Sequence, residues 1–230
     1  MFRTLLYKIS YIVLRTYALI MFRLDVYHYQ RLGIGPKIYV CNHPSAIDPF
    51  LIHLAAPREQ MNVLITQKAF NVPFFGKYLR AVGEIPVPLG LENGMAAIDQ
   101  AERHLRAGRS VAIFIEGHIS PIEGGFLRPR TGAAHLALRT GAPVVPVGIA
   151  LRRDMTVNIS SKISGDKSEA YWYLRGPYSI TVGNPIRFEG NVDDRKYVRH
   201  VSELMMHEIR ILAHESEGRM RRLKLAPALT

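Results

Sequence analysis

Val40-Cys41-Asn42-His43-Pro44-Ser45-Ala46-Ile47-Asp48 sets the reading of the whole chain. The run Lys37 to Cys41 has the length and composition of a short buried strand, and Ile47 to Ala56 reads as the helix that follows. His43 therefore falls at the carboxyl end of a strand, and Asp48 falls just inside the next helix. A carboxylate so placed can hold one imidazole nitrogen protonated, leaving the other to take a proton from a substrate hydroxyl. The same pair also fits a cap hydrogen bond at a loop–helix junction. A metal site is disfavoured, because no second His, Cys or carboxylate stands nearby at ligand spacing.

Further along, Met61 to Thr66, Glu84 to Val87, Ser110 to Ile115 and Val144 to Ala150 are short runs rich in Val and Ile. Helix-like stretches lie among them near 47–56, 74–82, 94–107 and 131–140. Asn93 and Gly94 mark the start of one of these helices, and Gly108 marks its stop. The alternation predicts an α/β fold, a largely parallel central sheet flanked by helices. Tyr171 to Arg175 and Ser179 to Val182, joined across Gly176-Pro177, predict a hairpin at the sheet edge. Residues 193–222 predict a long final helix, with Tyr197, Val201, Leu204, Met205 and Leu212 near helical spacing. No repeat, low-complexity segment or linker divides the chain, so 29–230 reads as one globular domain after an N-terminal segment, 1–28.

Ligands of such sheets bind beyond the carboxyl ends of the strands. His43 is at one such end, Phe114-Ile115-Glu116-Gly117-His118-Ile119-Ser120 at another, and Val147-Gly148-Ile149 belongs to a third strand. Two polar clusters at one edge of a sheet point to an enzyme.

Composition narrows the class. A chain of 230 residues with 48% hydrophobic residues can bury a sizeable core. The single cysteine, Cys41, excludes an intrachain disulfide framework and reads as a buried structural thiol. The net charge of +11 calls for an anionic partner. No zinc-finger spacing, helix-turn-helix or RNA-binding signature supports nucleic acid, which leaves an anionic membrane surface or an anionic substrate.

Residues 2–22 are rich in Leu, Ile, Tyr and Phe but carry Arg3, Lys8 and Arg15. Thr4, Lys8, Tyr11 and Arg15 make a narrow polar stripe on a helix, and Leu5, Ile9, Ile12, Val13, Leu19 and Ile20 cover much of the rest. No uncharged run reaches the ~20 residues of a bilayer span, and Arg15 breaks the apolar region that a signal peptide needs. The pattern predicts an amphipathic helix lying in a membrane interface, with a core helix as the other reading.

These motifs together resemble the glycerolipid acyltransferase family, whose type member acylates 1-acylglycerol 3-phosphate. Asn42 to Asp48 is similar to that family's NHxxxxD block. Phe114, Glu116, Gly117 and Ser120 match its FPEGTRS block, and Gly83-Glu84-Ile85-Pro86-Val87 resembles the block between the two. Thr131 to Ala137 and Gly141 to Val147 resemble the stretches that follow, in the family's order, from about residue 30 to about residue 185.

The resemblance implies an acyltransferase with His43 as general base and Asp48 as its orienter. It implies a thioester donor, acyl-CoA or acyl-carrier protein, a lysophospholipid acceptor, and neither cofactor nor metal. Glu116 and Gly117 would help bind the acceptor, and backbone N–H groups after His43 or near Gly117 would hold the oxyanion. The expected setting is peripheral or monotopic association with the cytoplasmic face of a membrane. Ile115, His118 and Ile119 stand where the family usually has Pro, Thr and Arg, and Leu89 lies near the usual place of a second Arg. Arg128 and Arg130 take the place of those two phosphate ligands more readily than Lys68 or Arg80. His118 reads as a hydrogen-bond donor in place of Thr, since one base suffices for the chemistry. The rival readings are an acceptor without a phosphomonoester, a non-catalytic lipid-binding member of the fold, and a basic nucleic-acid-binding domain.

Overall fold

The structure is a computed structural model and describes residues 2–88, 94–163 and 166–225. Leu89 and Asn93, named above, lie outside the described residues. The chain opens with helix α1 (Phe2–Met21) and passes with no intervening residue into strand β1 (Phe22–His28). Strand β2 (Ile38–Cys41) then leads through the dyad loop to α2 (Asp48–Leu51), which a 3-10 turn extends over Ile52–Ala55. There follow β3 (Met61–Thr66), α3 (Gln67–Phe70), α4 (Phe75–Val82), β4 (Ile85–Val87), α5 (Gly94–Arg106) and β5 (Ser110–Phe114). The second half comprises α6 (Gly132–Thr140), β6 (Val144–Leu151), β7 (Val157–Ile163), β8 (Asp166–Trp172), β9 (Gly176–Val182) and α7 (Arg195–Leu225).

Seven strands form one sheet in the order β1-β9-β6-β2-β5-β3-β4, in which only the β6–β9 pairing is antiparallel. The central strands are buried on both faces, and their side chains alternate between two cores. Tyr39, Cys41, Ala112 and Phe114 join the core under α1, α2, α3 and α4. Ile38, Val40, Val111 and Ile113 join the one beneath α5, α6 and α7. Gly148 on β6 admits α7 at backbone distance, since a Cβ there would meet Leu212 C and Ala213 N at 2.1 Å.

Two expectations are corrected here. The predicted hairpin across Gly176-Pro177 is absent, because β8 pairs with β7 in a separate two-stranded sheet while β9 runs between β1 and β6. Backbone bonds divert the chain: Tyr171 O accepts from Ala46 N at 2.8 Å, and Tyr173 N donates to Ser45 Oγ at 2.9 Å. The segment between β8 and β9 is thereby tied to the dyad loop instead of turning back on itself. Residues 22–28, grouped with the N-terminal segment from the sequence, form the edge strand of the central sheet.

A third correction concerns α1. Thr4–Met21 has a mean hydropathy of 1.2 and is long and apolar enough to cross a membrane by length and composition alone. Its surroundings are asymmetric. Tyr7, Tyr11, Leu14, Tyr17 and Ala18 recur at helical spacing and face the domain. Tyr7 Oη donates to Glu59 O at 3.2 Å and lies 3.2 Å from His53 Nδ1, and Tyr17 Oη donates to Leu174 O at 2.8 Å. Tyr11, assigned to the polar stripe from spacing, thus belongs to the docked face. Leu5, Ile9, Ile12, Val13, Leu19 and Ile20 are exposed on the opposite side, with Lys8 and Arg15 also exposed.

Candidate active site

Strand β2 sits between β5 and β6, with Cys41 beside Phe114 on one side and Val147 on the other. The segments leaving β2 and β5 therefore emerge together at the carboxyl edge of the sheet. Asn42 prolongs the pairing with its side chain, accepting from Ile149 N at 2.8 Å and donating to Ile149 O at 2.9 Å. This amide stands in for one more residue of backbone ladder and holds the next residue, His43, at the mouth of the sheet.

His43 Nδ1 lies 3.0 Å from Asp48 Oδ2. The imidazole packs on the Phe114 ring with centroids 4.4 Å apart, and the side chain is 15% exposed. Among the described residues no group bonds Nε2. Asp48 is fully buried, and its Oδ2 also accepts from Ser45 N at 2.7 Å, an arrangement that closes the loop between them. With Nδ1–H donated to the carboxylate, Nε2 carries the lone pair, which is the tautomer a base needs. Cys41 lies directly beneath, and burial together with the Asp48 charge pushes its thiol well above the ordinary range, so it is no nucleophile.

Glu116 is turned inward. It is 2% exposed, and both oxygens are engaged internally: Oε1 accepts from His43 N at 3.1 Å and Ser120 Oγ at 2.6 Å, and Oε2 from Leu127 N at 2.6 Å. It braces the His43 loop to the β5 loop and its continuation. Ser120 N donating to His43 O at 2.8 Å adds to that brace.

The backbone donors at the helix start are also committed. Ser45 N serves Asp48, Ala46 N serves Tyr171 O, and Gly117 N serves Phe114 O. His118 N and Ile119 N, the donors next to Gly117, have no hydrogen-bond partner among the described residues.

The two arginines anticipated from the sequence part company. Arg128 is 75% exposed in its side chain and approaches Glu203 of α7 at 3.8 Å. Arg130 lies across Gly117, where an added Cβ would stand 2.4 Å from Arg130 Nε, and its Nη2 reaches His118 Nε2 at 2.8 Å. Gly117 has φ +71°, so both its backbone and the arginine above it exclude a side chain. His118 Nε2 therefore accepts from Arg130 in this structure, which leaves Nδ1–H as the ring's donor. A third cation, Arg153, had no motif to announce it. It borders a cavity of about 70 Å³ shared with Asn42, Pro44 and Phe126, and its guanidinium donates to Pro121 O. Burial pulls that guanidinium below its usual range against the carboxylates of Glu116, Glu217, Asp48 and Glu123.

A buried carboxylate thus orients a histidine at the carboxyl edge of a mostly parallel sheet. The Acyltransferase family model matches residues 23–150, more than half of the chain, and the chain belongs to that family. It is 33% identical over 115 residues to the 1-acyl-sn-glycerol-3-phosphate acyltransferase of Cocos nucifera, covering 48% of this chain and 36% of that protein. It is 29% identical over 133 residues to "Putative 1-acyl-sn-glycerol-3-phosphate acyltransferase acl-2" of Caenorhabditis elegans, covering 56% of this chain and 46% of that protein. The matched part thus spans less than half the length of either curated relative. In fold the chain is similar to the crystal structure of the 1-acyl-sn-glycerophosphate (LPA) acyltransferase PlsC from Thermotoga maritima. That likeness has a TM-score of 0.61 at 21% identity and covers 90% of this chain and 81% of the other.

Proposed function

We propose that this protein transfers a fatty acyl group from a thioester donor, acyl-CoA or acyl-carrier protein, to a hydroxyl of a lysophospholipid, in the first instance 1-acylglycerol 3-phosphate. The observation that carries this reading is His43 held by buried Asp48 with Nε2 unbonded among the described residues, within a chain of the acyltransferase family. Nε2 removes the acceptor proton as the hydroxyl oxygen attacks the thioester carbonyl, and Asp48 stabilises the imidazolium. His118 N–H and Ile119 N–H are the donors we assign to the tetrahedral oxyanion. Collapse breaks the C–S bond, and the thiolate leaves with the proton from His43. No acyl-enzyme is needed.

The test is thiol release from a panel of acyl-CoAs and acyl-carrier-protein donors with lysophosphatidic acid and other lysolipids as acceptors. Release that requires both acceptor and His43 supports acyl transfer; inactivity with every pairing would favour a non-catalytic lipid-binding role.

Arg130 is the cation we assign to the acceptor phosphate, because it covers the Gly117 backbone beside the His43 loop. Arg130→Ala is expected to raise the acceptor KM about tenfold, with kcat changed much less, as loss of one charge-assisted bond predicts. A KM unchanged within error would move the phosphate site elsewhere, with Arg153 the next residue to substitute.

The exposed apolar face of α1 supports peripheral attachment to a membrane, for which we propose the cytoplasmic side. Ile9→Ser with Val13→Ser removes two side chains whose burial is worth about 1.5 kcal/mol or more each, so binding to anionic vesicles should weaken roughly a hundredfold. Vesicle binding equal to wild type would reject this face as the contact.

A further inference from the structure

A fully buried carboxylate remains ionised only where donors surround it. Asp48 has three. Ser45 N and His43 Nδ1 approach Oδ2 at 2.7 and 3.0 Å, whereas Oδ1 accepts from the Tyr178 hydroxyl at 2.7 Å. We propose that Tyr178 is a positioning residue of the dyad: its hydroxyl anchors Oδ1, so that Asp48 presents Oδ2 to His43. The consequence for turnover rests on the reading of His43 as base, but the geometric role does not.

Tyr178 comes from a part of the chain with no motif. It lies on β9, opposite Leu151 of β6 and Leu24 of β1. Its ring is fixed by Phe22, edge to face at 5.7 Å, and by Tyr173 at 6.4 Å. Phe22 in turn meets Tyr17 of α1 at 5.7 Å, so the N-terminal helix and strand brace the ring that holds Asp48. Burial and the Asp48 charge push the Tyr178 phenol well above its ordinary value, which keeps it a donor at every working pH.

The donation also tunes the pair. Without it, Oδ1 would be buried and unpaired, and more of the carboxylate charge would bear on the histidine side. The proton affinity of the pair would rise, whichever member carries the proton. The neighbours would stay constant. Cys41 of β2 and Tyr173 beyond β8 are neutral, since burial pushes the first well up and the second up to about 12. Glu116 beyond β5 keeps its bonds to His43 N, Ser120 and Leu127, and Arg153 beyond β6 its bond to Pro121 O. A shift in titration would therefore report the lost hydroxyl.

The test is NMR of the full chain labelled with ¹⁵N-histidine, comparing wild type, Tyr178→Phe and Tyr173→Phe. Tyr173 is an apt control, because its buried hydroxyl donates to Pro177 O at 2.9 Å and not to Asp48. Tyr178→Phe should move the His43 titration midpoint up by about one pH unit. The acid limb of the kcat/KM profile should follow it, and Tyr173→Phe should move neither. Should Tyr178→Phe fail to fold, 3-fluorotyrosine at position 178, a stronger donor of nearly the same shape, should move the midpoint down. An unmoved His43 midpoint in either Tyr178 protein, or an equal shift in Tyr173→Phe, overturns the positioning role. A shifted midpoint in a protein that transfers no acyl group would uphold the positioning role and reject the proposed activity.

Discussion

His43→Ala is expected to lower kcat for acyl transfer by about 10²- to 10⁴-fold, the usual worth of a positioned general base. Acceptor and donor KM should change little, because the imidazole works on a proton and not on a head group. The fold should survive. The side chain is 15% exposed, it rests on one face of Phe114, and Asp48 keeps Ser45 N–H and the Tyr178 hydroxyl as donors after its removal. Vesicle binding through α1 should also be unchanged, since that face lies on the outside of the helix docked through Tyr7 and Tyr17. Steady-state kinetics with lysophosphatidic acid, together with a thermal melt, checks both halves. Turnover within threefold of wild type in a folded variant would discard the base mechanism.

Glu116→Gln tests the opposite kind of residue, one whose effect on chemistry passes through the backbone. The carboxylate accepts from two N–H groups and one hydroxyl, using both oxygens. An amide offers a single acceptor oxygen, so in either orientation its NH₂ opposes the N–H of His43 or of Leu127. Ser120 Oγ can rotate to accept, but the backbone groups cannot. One buried donor is left unpaired, at a cost of about 1–3 kcal/mol. For a chain of this size that corresponds to a melting temperature lower by roughly 2–12 °C. Turnover should fall as well, because His43 N is one of the three donors and its loop loses an anchor. If Glu116→Gln melted like wild type and changed only the acceptor KM, Glu116 would be an acceptor ligand after all.

Much of the scaffold was legible because its signals are local. Met61–Thr66 can be read to the residue, and β2, β4, β5 and β6 to within one residue at each end, since short Val- and Ile-rich runs between amphipathic stretches have few other readings. β1 and β7 escaped notice. Phe22–His28 carries Arg23, Asp25 and His28 and has no turn residue to separate it from the helix before it. It is a strand because β9 offers it a free edge. The hairpin across Gly176-Pro177 failed for a similar reason, since a Gly-Pro pair marks a change of direction without saying which neighbour the next strand joins.

The site divides along the same line. His43 and Asp48 stand five residues apart, and their meeting follows from a strand end and a helix start that the sequence itself determined. The direction in which Glu116 points, which of the backbone donors near Gly117 stay unpaired, and the separation of Arg130 from Arg128 were decided by packing between segments. Tyr178 is 130 residues from Asp48 and Arg153 lies just past the end of β6, and neither position bears a pattern of its own. Periodicity and short motifs report contacts that span one turn or one loop. Which distant side chain fills the last lone pair of a buried carboxylate depends on strand order and register, and these arise from the pairing of the whole sheet.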